Sequence, residues 1–168
     1  IHYRPGTPTE NQLRQLRQLR DNTLLDVRCG GGQNTIALRR AGAASVVGVD
    51  KSTEQLAYAT RLAAEEKVDV RFLEADVRDL APLEDASFDA AFSAYCLQFV
   101  PEIGATFSAV ARVLRPGGRF VGEAFVPAPE AHDGVSVRAI DVDRVLLDVA
   151  AIDPDCRVIG TEGLRVVD

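Results

Sequence analysis

The 168-residue sequence has no methionine, no tryptophan, only two histidines and only three cysteines. Each shortage narrows the possibilities. Cys29, Cys96 and Cys156 are odd in number, far apart and without metal-ligand spacing. A disulfide framework and a structural metal are therefore not expected, and a reducing, cytoplasmic setting is. No apolar run approaches the ~20 residues that a bilayer-spanning helix needs, and no signal peptide is visible, so no membrane partner is expected. A formal charge of −6 argues against a broad phosphate-binding surface, and no nucleic-acid partner is expected. Methionine is missing even from the first position, Ile1, as it would be in a fragment or a chain with residues left out.

What is present suits a globular domain. Hydrophobic residues make up 46% and charged residues 26%, and the length fits one domain with a substantial core. Residues 1–22 read as a lead-in and cap helix. Their Gln-Leu-Arg repeat sets Leu13, Leu16 and Leu19 on one helical face beside Arg14, Arg17 and Arg20. The body of the domain is expected over 23–168.

Apolar, strand-like runs alternate with helical patterns along that body. Strands are expected at Thr23–Val27, Ala44–Val49, Val68–Leu73, Ser87–Ser93 and Arg119–Val126. Helices are expected over Ile36–Ala41, closed by Gly42, and after a Ser52…Gln55 capping box. Another is expected to start at Pro101 and carry Ile103, Phe107, Val110 and Leu114 as its stripe. The tail suggests a helix around Val142–Val149 and an antiparallel hairpin pairing 156–160 with 164–168. The pattern predicts an α/β fold, a doubly wound, mostly parallel sheet with helices on both faces.

The organising stretch is Asp26-Val27-Arg28-Cys29-Gly30-Gly31-Gly32. A strand running into a glycine turn and then a helix lets the backbone approach a nucleotide-like ligand. It is not the dinucleotide fingerprint, because Thr35 stands where the last glycine of that pattern would be. This disfavours a nicotinamide-dependent oxidoreductase. Asp50 ends the second strand about 20 residues beyond the turn, the offset of a ribose-binding carboxylate.

Taken with Asp76 and Arg115-Pro116-Gly117-Gly118-Arg119, the stretch resembles the class I S-adenosylmethionine-dependent methyltransferases over residues 23 to 121. The resemblance implies S-adenosylmethionine as cofactor. It sets Gly30 and Gly32 against the methionine part, Asp50 on the ribose, and Asp76 on the adenine amine with Val77 beside it. It implies that Asp26 organises the turn and orients the amino group, and that Ser93 lies under the methionyl group. Arg28, Cys29 and Lys51 complete the expected cofactor-binding residues. Arg28 departs from the pattern, since the family has its first glycine there. It makes either a tolerated substitution or an impaired, non-catalytic domain conceivable.

Methyl transfer from a sulfonium depends mainly on proximity and orientation, and a general base is needed only when the acceptor must lose a proton. Tyr95 and His132 are the candidates for a part in the chemistry, with surface or packing roles as the competing account; His2 is the other histidine. The fourth-strand segment Ser93-Ala94-Tyr95-Cys96 lacks the Asn/Asp-Pro-Pro-aromatic box of base-modifying enzymes. By family analogy the expected acceptor is a small molecule.

Overall fold

The computed structural model describes residues 19–94 and 97–122, with two short strands at 157–158 and 166–167. Residues 9–18 of the helix expected over Thr9–Arg20, the helix around 142–149, His2, Tyr95, Cys96, His132 and Cys156 lie outside the described residues, and Leu19 and Arg20 are not helical.

Five strands form one parallel sheet: β1 (Thr23–Val27), β2 (Ser45–Asp50), β3 (Arg71–Glu74), β4 (Phe88–Ser93) and β5 (Leu114–Gly122). Their order is β3-β2-β1-β4-β5. The motif-bearing β1 is therefore central, with Leu25 opposite Val47 on one side and Ala91 on the other. A central parallel strand is covered on both faces, which explains its nearly unbroken apolar run. Leu24 packs with Leu38, Val46, Ala90 and Phe92, while Leu25 and Val27 join Val49, Ala91, Val110 and Phe120. Full burial of such side chains contributes roughly 1.5–3 kcal/mol each.

Helix α1 spans Gln33–Arg40, and Gly42 follows it at a φ of 109° as the expected left-handed stop. Helix α2 spans Thr53–Glu65 and begins at Ser52, whose Oγ accepts the Gln55 N–H at 3.3 Å. The other half of the expected capping box does not form. The Ser52 N–H instead donates to Asp50 Oδ1 at 3.0 Å, so Gln55 has no donor to reach back to.

Helix α3 spans Ile103–Val113 and lays Phe107, Val110 and Val113 into the core. Phe107 meets Phe120 edge to face with ring centroids 5.8 Å apart. Pro101 is not its first residue as expected. A left-handed Glu102, φ 56°, intervenes, and Pro101 lies in the preceding turn. Leu114 is extended rather than helical and opens β5. Between the pairs Phe88↔Leu114 and Ala90↔Arg119, residues 115–118 leave the ladder. Gly117, at φ 76°, makes that excursion possible.

The C-terminal hairpin is present as β6 (Arg157–Val158) against β7 (Val166–Val167), antiparallel. It forms a two-stranded sheet of its own, and β7 lies beside β5. Strand order reverses between β1 and β4, and the carboxyl ends of the strands there flank the crevice where open α/β sheets bind ligands.

Candidate functional site

The turn after β1 is left-handed three times in five residues: Arg28 at φ 60°, Gly30 at 52° and Gly32 at 80°. It is fastened to the end of β2. The Cys29 N–H donates to Val49 O at 2.9 Å, and the Gly30 N–H donates to Asp50 Oδ2 at 3.0 Å. The two glycines serve different ends. A side chain on Gly32 would come within 2.7 Å of Ala59 Cβ and Phe72 Cζ, so its absence lets α2 and β3 close in. Beside Gly30 nothing among the described residues lies within 4 Å of where a Cβ would be, which leaves that side of its backbone open to a ligand. Arg28 holds a conformation that costs a non-glycine residue roughly 1–2 kcal/mol.

Beneath the turn is a buried polar knot. The Thr35 hydroxyl donates to Asp26 Oδ2 at 2.6 Å, and Asp26 is only 2% exposed. Burial pushes the Asp26 carboxyl up to about 7, against the pull of the Thr35 hydrogen bond, and the nearby Asp50 charge adds to the rise. Burial also raises the Cys29 thiol, reinforced by Asp26 and Asp50, so Cys29 stays protonated. Gly48, opposite Asp26 in the ladder, makes room for both neighbours. A Cβ there would stand 2.8 Å from Thr35 Oγ1 and 2.9 Å from Cys29 Sγ. Sequence reasoning noticed Thr35 only as a missing glycine. Its role as hydrogen-bond partner of Asp26 depends on a turn that folds two residues nine apart onto each other.

Asp50 is nearly buried and uses both oxygens, one for the Gly30 N–H and one for the Ser52 N–H. Each carboxylate oxygen keeps a second acceptor site. Ser93 is fully buried and donates to Val27 O at 3.0 Å, linking β4 to β1 at the crevice. Arg28, Lys51, Asp76, Val77, Arg78 and Phe99 line one small cleft of about 90 Å³. Asp76 is held there by Arg78, with Nη2 at 2.7 Å from Oδ2 and Nε at 3.0 Å from Oδ1. That contact keeps the carboxyl low, at about 2.

The fold thus gathers Arg28, Lys51, Asp76 and Val77 around one cleft and ties Gly30 to Asp50. It sets Asp26 and Cys29 underneath, Ser93 behind and Gly32 against the neighbouring helix. A family model described as a methyltransferase domain matches residues 25–122, more than half of the chain. The chain belongs to the class I S-adenosylmethionine-dependent methyltransferases. This methyltransferase domain is similar to the 27-O-demethylrifamycin SV methyltransferase of Amycolatopsis mediterranei, 34% identical over 134 residues, covering 77% of this chain and 49% of that protein. It is also similar to the demethylmenaquinone methyltransferase of Thermus thermophilus, 38% identical over 124 residues, covering 73% and 56%. Among solved structures, an S-adenosylmethionine dependent methyltransferase from Mesorhizobium loti superimposes with a TM-score of 0.62 at 31% identity, over 68% of this chain and 52% of that one. The chain spans about half the length of the curated relatives it matches.

Proposed function

We propose that this domain binds S-adenosylmethionine in the crevice at the carboxyl ends of β1 to β4 and transfers its methyl group to a small molecule. The observation that carries the reading is the turn itself. Its open Gly30 backbone is bonded directly to Asp50, the carboxylate at the ribose position. The donor set fits the cofactor. Asp50 retains acceptor capacity for ribose hydroxyls, Val77 offers an apolar side for adenine, and Asp76 is an acceptor for the adenine amine. Asp26, below the turn, orients the amino group, through water where direct reach fails. Lys51 borders the ribose end, Cys29 fills the turn from inside, and Gly32 and Ser93 fix the backbone on which the methionine part rests.

When bound, the cofactor supplies a methyl group on a sulfonium, an electrophile that needs no activation by acid. The residues of this chain then act by holding, aligning and excluding water, which is where proximity and orientation have their effect. Tyr95 and His132 remain the candidates for contact with the acceptor. The support for a small-molecule acceptor is that the relatives named above carry such acceptors in their names. The reading includes residues 1–22 as a cap over the domain of 23–168, and a cytoplasmic setting.

Arg28 favours a second reading, a methyltransferase-like domain with weakened cofactor binding. It is strained at φ 60° and lines the cleft. Isothermal calorimetry with S-adenosylmethionine and with S-adenosylhomocysteine tests both. Micromolar binding, about −8 kcal/mol, supports the first reading. A folded protein that gives no heat with either ligand overturns it in favour of the second.

A further inference from the structure

Asp76 is already paired without any ligand. Its Oδ1 accepts the Arg78 backbone N–H at 2.9 Å and Nε at 3.0 Å, and its Oδ2 accepts Nε at 3.1 Å and Nη2 at 2.7 Å. A carboxylate has about four lone-pair sites, and Arg78 meets both oxygens with three N–H donors, the single Nε–H being shared between them. Both side chains line the cleft, and each is about two-fifths exposed. We infer that Arg78 is a specificity-determining residue that competes with the ligand's purine for Asp76, so that an exocyclic amine is accepted more readily as the guanidinium gives way. The inference rests on the proposed cofactor reading and adds a selection rule to it.

Release is cheap. Exposed ion pairs are weak, and Glu102 and Asp79 both attract the Arg78 charge, so the guanidinium has other acidic neighbours to turn to. The donor and acceptor patterns of the pair also differ. A 6-amino purine offers a donor and needs the Asp76 carboxylate. A 6-oxo purine offers an acceptor in the same place and is met by Arg78. With both groups in the cleft, the chain discriminates between the two purines less sharply than a lone aspartate would.

Calorimetry of the full chain with S-adenosylhomocysteine and with S-inosylhomocysteine tests this, for the wild type, Arg78→Ala and Arg78→Gln. Both variants are expected to bind the adenosyl ligand about two- to fivefold more tightly and the inosyl ligand no more tightly than the wild type. An equal change for both ligands overturns the inference, because Arg78 then acts through charge or packing alone. Weaker adenosyl binding also overturns it, because Arg78 then holds Asp76 in place for the ligand. A folded wild-type protein that binds neither ligand overturns the cofactor reading itself and this selection rule with it.

Discussion

Replacing Asp26 with asparagine tests the buried knot through the pH dependence of stability. In the folded chain the Asp26 carboxyl titrates at about 7, against 3.8 for an ordinary aspartate, chiefly because it is buried. Between those values the folded state keeps a proton that the unfolded chain has released. The stabilising contribution is therefore complete below pH 4 and is lost as pH rises through 7. Roughly three units at about 1.4 kcal/mol per unit make the whole effect about 4 kcal/mol. The portion between pH 5.5 and pH 8 is about 2 kcal/mol. Asparagine has nearly the same shape, keeps an oxygen for the Thr35 hydroxyl and does not titrate. Urea unfolding of both proteins at the two pH values gives the answer. The stability of Asp26→Asn relative to the wild type should improve by about 2 kcal/mol on going from pH 5.5 to pH 8. A difference that stays constant within about 0.5 kcal/mol, the scatter of such comparisons, would refute the reasoning and leave Asp26 ionised throughout.

Three further outcomes are expected. Arg28→Gly should change stability by less than about 1 kcal/mol, because relief of the left-handed backbone is offset by glycine's greater freedom when unfolded. Calorimetry should show it binding S-adenosylmethionine about fivefold more tightly, since the ligand no longer has to order a long side chain in the cleft; equal or weaker binding would count against a steric role. Gly32→Ala should destabilise by about 2–4 kcal/mol in chemical denaturation, from backbone strain at φ 80° plus overlap with Ala59 and Phe72. Arg112→Ala should cost about 1–3 kcal/mol, because its guanidinium donates to the carbonyls of Asp79, Leu80 and Leu83 and pairs with Asp85; a thermal midpoint equal to the wild type's would contradict this.

Much of this architecture was legible in the sequence. The strands β1, β2 and β4 show themselves because buried parallel strands are continuous apolar runs closed by polar or glycine residues. The glycine turn and Asp50 show themselves because their spacing follows from a strand–turn–helix–strand unit. Pro101 misled because one left-handed residue, Glu102, displaces a helix start, and no propensity announces a non-glycine residue there. The Ser52 box misled because Asp50, two residues away, takes the Ser52 N–H that the Gln55 side chain was expected to bind. Thr35 and Arg112 were not legible, since their partners lie across turns or some 30 residues away. The hold of Arg78 on Asp76 is local, yet it matters only because both residues face the cleft.

All five strands of the main sheet run the same way, so its two rims differ in kind. The carboxyl rim carries the turn, Asp50, Asp76 and Ser93. At the amino rim Asp89 accepts the Thr23 N–H at 2.7 Å and pairs with Arg115, while the Ala44 N–H reaches Asn22 O at 2.9 Å. These bonds tie the strand starts to their neighbours. On the proposed reading the molecule divides its labour by direction, with recognition at the ends where strands finish and mechanical strength where they begin. Changes at the amino rim should move the melting point and leave ligand affinity alone, so the resilience and the selectivity of this domain can be altered separately.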